Sequence, residues 1–315
     1  MSQQDDRLLN RRDFTKALAL GLGTASLPAC MASRMETAGG PRGRRLVVGH
    51  TGITWGFSPD DAQAAVRDVG SLGYHGFESF GNVLEAWETR GGFDQLLTAA
   101  NLPLRAAYCP VNLTDAAIRA EEVAKLVRWG QLIRKYGGTV AVIGPNGVQR
   151  GNYDFSANRA NIVAALNDMG KALMDVGIVS ALHPHTGTSV ETADEARAVM
   201  ESVDSRFAKF GPDVGQLQKA GSDPVPLVRD FASIVHHVHM KDYDGGPDFL
   251  GYAPLGRGQV RVEEIANILE GSGNDVMIMV ELDPNGRNRP MPMPPIETAQ
   301  ISKEYMQTLG YTFRT

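Results

Sequence analysis

The sequence predicts a single α/β domain folded as a (β/α)8 TIM barrel, preceded by a signal peptide and a short linker. Three observations carry that prediction. First, eight short apolar, β-rich runs alternate with stretches of helical periodicity from Leu46 to the C-terminus. Strands that alternate with helices pair in parallel, because each crossover needs a connecting element such as a helix. Second, the chain has 315 residues, and a barrel of this kind takes roughly 250. Third, five of the runs end in a carboxylate or an imidazole, at Glu78, His183, Asp213, His239 and Glu281, and in a barrel such ends converge on one mouth. An open doubly wound sheet is the competing architecture. No Gly-x-Gly-x-x-Gly follows the first run, so its dinucleotide-binding version has no support.

The N-terminal segment reads as an address. Asn10-Arg11-Arg12-Asp13-Phe14-Thr15-Lys16 precedes an apolar stretch from Ala17 to Leu27, then Leu27-Pro28-Ala29-Cys30. A charged start, a short apolar middle and small residues at a cut site make a signal peptide, and the apolar stretch is too short to span a bilayer. The paired arginines resemble a twin-arginine export signal, and the run ending at Cys30 resembles a lipobox. Residues 1–29 are therefore expected to be removed, with the twin-arginine machinery as a partner. Cys30 becomes a candidate lipid anchor, and the protein is expected in the periplasm or tethered facing it. Residues 1–29 hold three acids and four bases, so their loss takes the net charge from −5 to −6. Residues 30–45 form a Gly/Pro/Arg-containing linker without periodicity, and the barrel occupies 46–315.

An acidic chain without a basic block gives nothing to neutralise phosphates, which argues against nucleic acid as a partner. Cys30 and Cys109 are the only cysteines, too few for a disulfide framework or a thiolate metal site.

The expected strands are Leu46–His50, Gly76–Ser79, Leu104–Tyr108, Val140–Ile143, Ile178–His183, Lys209–Asp213, Ile234–His239 and Val276–Glu281. The first leads to Trp55, an aromatic that either stacks on a ligand at the mouth or fills the core; Tyr108, ending the third, has the same two readings. Ser58-Pro59-Asp60 and Asp223-Pro224 each place a capping side chain before a proline at the first helical position. Thr114-Asp115 is expected to open a long helix that closes at Gly137-Gly138. Strand two ends on Glu78, either an acid/base or a salt-bridged structural carboxylate. Strand five ends in His183-Pro184-His185, whose two imidazoles share a face if the chain stays extended; Pro184 stops the ladder. Strand six ends on Asp213, a carboxylate that needs a partner if buried. On strand seven His237 and His239 share a face, and Lys241 follows on the same parity, as a proton or oxyanion handler or as a lysine paired to Asp242 or Asp244. Strand eight is uninterrupted apolar sequence up to Glu281, as expected where both faces are buried. Gly256-Arg257-Gly258 lies in the loop after strand seven and could hold Arg257 over the mouth. Met291 to Pro295 is either a lid or a connector.

Gly-Phe-Glu at strand two, His-Pro-His-Thr-Gly-Thr at strand five, Asp-Val-Gly-Gln at strand six, His-Met-Lys-Asp at strand seven and Glu-Leu-Asp at strand eight together resemble the xylose isomerase-like barrel superfamily. The resemblance spans the whole domain from Leu46. It implies a metal set at His183, Asp213, His239 and Glu281, with His185 as the alternative at the first position, and one divalent ion of Mn, Mg, Co or Zn. His183 stands where the family often has Glu, which resembles the inosose dehydratase branch more than the ketose epimerases. Gln216 stands where relatives often have His. The resemblance implies a sugar isomerase or epimerase working through a metal-stabilised enediolate, with Glu78, Lys241 and Glu281 as catalytic groups. Trp55, Tyr108, His185, Gln216 and Arg257 are expected to contact a small carbohydrate. A keto-sugar lyase, dehydratase or hydratase is the alternative, and a non-catalytic periplasmic sugar-binding lipoprotein the second.

Overall fold

The computed structural model describes residues 43–285 and 289–315. The signal peptide, Cys30 and nearly all of the linker lie outside the described residues. Among the described residues there are ten strands: β1 (Val48–Thr51), β2 (Phe77–Phe80), β3 (Leu104–Asn112), β4 (Val140–Asn146), β5 (Val179–Leu182), β6 (Ala208–Phe210), β7 (His237–Met240), β8 (Asp242–Tyr243), β9 (Tyr252–Ala253) and β10 (Met277–Val280). Eight of them form one parallel sheet in the order β6-β5-β4-β3-β2-β1-β10-β7. Two isolated bridges, Phe210 to Val235 and Asp213 to His239, bring the two edges together. The result is a nearly closed TIM barrel with helices around it. Each of the eight expected runs overlaps one barrel strand, most of them with ends shifted by one to four residues.

The sequence explains these elements locally. Ser58 caps the helix Pro59–Ser71 in a full capping box with Asp61, and Asp223 caps Pro224–Phe231; both satisfy amide donors that a helix start leaves open. Gly144 lets the Tyr108 ring lie flat across β4, where any Cβ would collide with it. The main core fills the space between strands and helices, with Leu104, Ile143, Val238 and Ile278 completely buried. Inside the barrel a smaller cluster of Ala106, Val140, Val142 and Ala181 packs against Tyr108, so the interior is filled by side chains and is not a pore.

Three expectations change. The helix expected from Thr114 runs Arg119–Lys135, because the Asn112 side chain accepts the amides of Thr114 and Asp115 and folds that stretch into a turn. The loop after β7 is an antiparallel hairpin, β8 with β9. Met291 and Met293 pack on that hairpin against Phe249 and Tyr252, so this stretch is a connector to the helix Pro295–Thr308. Among the described residues, no helix is long and apolar enough to cross a membrane.

Candidate metal centre and active site

At the open end, the strand ends surround a cavity of about 1100 Å³. Its floor is formed by Glu78, Tyr108, His183, His239, Glu281 and Asp283. These come from five strands or the residues just beyond them, and each projects inward because side chains of one parity face the barrel interior.

His239 is the hub. Its Nε2 is 2.8 Å from Glu78 Oε1. Its Nδ1 is 2.8 Å from Glu281 Oε2 and 3.9 Å from Asp213 Oδ2. His183 Nε2 approaches the same Asp213 oxygen at 3.7 Å. Asp213 divides its work: Oδ1 accepts the Gln216 amide and caps the helix Val214–Lys219, which leaves Oδ2 facing the centre. Lys241 is fully buried, with Nζ 3.1 Å from Asp213 Oδ2, 3.2 Å from Asp283 Oδ2 and in contact with Glu281. Its ammonium also lies over the Tyr252 ring at 4.7 Å. Beneath His239, His237 Nε2 is 2.6 Å from Glu78 Oε2.

The protonation preferences follow from these neighbours. Burial disfavours charge on His183, and the nearby rings of His239 and His185 add to it, so its pKa falls well below the usual imidazole value. Burial likewise lowers His237. For His239 burial opposes the charged ring, but Glu281 and Glu78 on either side outweigh it and raise its pKa. Burial also works against charged Glu281 and Glu78, yet their cationic neighbours hold both below the usual carboxylate range. Asp213 goes up, chiefly from burial. Lys241 is raised despite burial because Asp213, Asp283 and Glu281 surround it.

His183, Asp213 and His239 present ligand atoms within 4.8 Å of one another, and Glu281 adjoins them. Asp213 Oδ2 and His239 Nδ1 are buried and make no hydrogen bond of regular geometry, being met only by the charged groups Lys241 and Glu281, and so many buried donors and carboxylates around one point suit a shared cation. Mixed carboxylate and imidazole donors suit a divalent metal. These four residues therefore fit the ion that the sequence pattern implies.

The model of the family described as xylose isomerase-like TIM barrel matches residues 63–309. The chain belongs to this family. An inosose dehydratase of Clostridium botulinum is 24% identical over 239 residues, covering 67% of this chain and 78% of its own. The 3-keto-D-glucoside 4-epimerase of E. coli shares the fold at TM-score 0.67 and 15% identity, with 84% of this chain and all of that one covered. A family member from Mycobacterium smegmatis in complex with magnesium superposes at TM-score 0.65, 16% identity, over 84% of this chain and 97% of its own.

Within this family member, the sequence-derived site residues separate into groups. Tyr108, His183, His239, Glu281 and Glu78 line the cavity. His185 also lines it, but its Nδ1 lies 2.8 Å from Thr186 O and its Nε2 2.8 Å from Gln216 Nε2, so His183 is the strand-five residue that joins the centre. Gln216 is buried behind His185, holding it together with Thr186 and Asp283, and does not reach the cavity. Lys241 is not on the cavity wall; it neutralises carboxylates from below. Two expectations are corrected. Trp55 turns away to donate to Asp68 on the first helix. Arg257 is exposed and outside the cavity lining, since Asp242 accepts the amides of Gly256 and Gly258 and ties this loop to the hairpin. The sequence reading gave no role to His237 or Asp283. Both were marked by parity: His237 is two before His239, and Asp283 two after Glu281.

Proposed function

We propose that this chain is a divalent-metal-dependent enzyme that removes a proton beside a carbonyl of a keto-sugar or polyol-derived ketone, with elimination of water as the outcome. The observation that carries this reading is the convergence of His183, His239 and Glu281, which line the floor of an open cavity, with Asp213 buried against them. An ion held by these four would supply Lewis acidity toward two neighbouring substrate oxygens. Glu281 is the base: it lines the cavity, and its lowered pKa keeps it ionised. Glu281 touches His239 and Lys241, while Glu78, with an imidazole at each oxygen, is the more deeply buried of the two, 2% exposed against 6%. Two free, opposed bases, as a two-base epimerisation requires, are thus not offered by Glu78 and Glu281. A single base at the floor, with a protonated Tyr108 on the same wall, suits elimination. The C–H bond breaks to Glu281, the C–O bond at the next carbon breaks, and the departing hydroxyl leaves as water with a proton from Tyr108. Burial keeps the Tyr108 hydroxyl protonated, and its ring packs on His183 at 5.5 Å.

The likeness to inosose dehydratases supports this outcome. An isomerase or epimerase is the second reading, favoured by Asp283, a further carboxylate on the cavity wall. The test is to supply inososes and 3-keto-glucosides in deuterated water to the metal-loaded protein. An enone absorbance is expected from elimination, and deuterated substrate without it from epimerisation. Turnover that survives chelation, or that Glu281→Gln leaves intact, would sink the proposal. We also propose export, on the strength of Arg11-Arg12 and the run ending at Cys30; cell fractionation and the mass of the mature N-terminus test it.

A further inference from the structure

The cavity is larger and less polar than a single sugar ring needs. At about 1100 Å³ it reaches the top of the range of roughly 300–1,000 Å³ found for pockets that hold drug-sized ligands. The charged groups next to the candidate ligands are at the floor; above it Ile53, Phe57, Phe80, Val148 and Leu250 line the wall together with polar residues such as Ser58, Asn146 and Thr188. Four large apolar residues stand out as exposed among the described residues, and two of them, Phe57 at 59% and Leu250 at 49%, belong to this one cavity. Exposed apolar surface at the mouth of a cleft marks a ligand contact.

The rings form a continuous wall from rim to floor. Phe57 packs on Phe80 with centroids 5.4 Å apart, Phe80 on Tyr108 at 6.0 Å, and Tyr108 on His183 at 5.5 Å. Leu250 reaches the cavity through an unusual backbone. Phe249 and Leu250 both have positive φ, 47° and 61°, a conformation that costs non-glycine residues about 1–3 kcal/mol each. It is held from three directions: Asn285 accepts the Phe249 amide, Lys219 donates to the Leu250 carbonyl, and Gly251 closes the turn on Asp248. Local strain fixed this firmly, with an exposed leucine as its product, points to a ligand at the rim.

We infer that the outer part of the cavity is a second subsite for an apolar, ring-bearing aglycone, packed on the wall that Phe57 and Phe80 form together and bordered by Leu250. The substrate is then a glycoside whose sugar reaches the floor, not a free monosaccharide. This rests on the carbohydrate reading proposed above.

The test uses phenyl and methyl β-D-glucopyranoside as probes, titrated calorimetrically into the metal-loaded full chain. Both carry the same sugar and neither is a ketone, so binding is read apart from turnover. The phenyl glucoside is expected to bind at least about tenfold more tightly, as burial of one ring predicts. In Phe57→Ala/Leu250→Ala that ratio should fall to about one, with metal content and melting temperature unchanged; Phe57→Tyr, which keeps the ring, should preserve it. Equal affinities, no measurable binding of either probe, or a preference that survives the double variant would overturn the subsite. Failure to turn over any keto-sugar would instead end the catalytic reading while the phenyl preference stands. Turnover of free inososes without that preference would end the subsite alone.

Discussion

Glu78 lies beneath His239, with one oxygen 2.8 Å from His239 Nε2 and the other 2.6 Å from His237 Nε2. A proton on Nε2 directed at Glu78 leaves Nδ1 to face Asp213 and Glu281, and a metal ligand must present a bare nitrogen. Glu78 is therefore a positioning group for the centre, as carboxylates behind ligand histidines commonly are. Glu78→Ala is expected to weaken divalent-ion affinity roughly 10–100-fold, measured by titration with a competing chelator. An unchanged affinity would show that His239 needs no such support. At this scale the sequence was informative about identity and face but not about depth. Asp213, His239 and Glu281 were legible because each ends an apolar run. Glu78 ends one too, yet its neighbour β3 shifts register at this point, and the imidazoles of β7 cover both its oxygens. Lys241 has the right parity, but its direction is set by carboxylates on two other strands, Asp213, Glu281 and Asp283, which no local pattern reveals.

The strands and helices were legible where one local signal acted alone. Ser58-Pro59 and Asp223-Pro224 start helices where the caps require. Thr114-Asp115 failed because Asn112, two residues earlier, competes for the same amides. The β8–β9 hairpin escaped notice because each strand is two residues long, too short for alternation to register; Asp244-Gly245-Gly246 was its only mark. Between β3 and β4 the fit is close enough to test. A side chain at Gly144 would run into the Tyr108 ring, so Gly144→Ala should cost about 1–3 kcal/mol by overpacking. Combining it with Tyr108→Ala should cost less than the two separate effects together. Denaturant midpoints of the four proteins give the coupling, and strict additivity would refute the contact.

For the molecule as a whole, alternation of apolar runs with helical stretches was enough to place all eight barrel strands, because a parallel sheet buries both faces and leaves an unbroken signal. Stability should depend on pH through buried imidazoles. Burial lowers the pKa of His50 from 6.5 to about 4, so an unfolded chain takes up a proton that the folded one refuses between those values. The resulting stability is fully present above pH 6.5 and lost as pH falls toward 4, an effect of about 3 kcal/mol for this group. His50→Gln should flatten unfolding free energy measured from pH 7.5 to 4.5 relative to the parent, and parallel curves would contradict it. One further property follows from how the barrel shuts. Its edges β6 and β7 meet through two isolated bridges, and one of these joins Asp213 to His239, both candidate ligands. A cation gripped by that pair would rivet the least-stitched seam of the cylinder. Amide exchange at His239, whose N–H reaches Pro212 O across the join at 2.9 Å, should then slow on metal addition while the β3–β4 interior stays as it was.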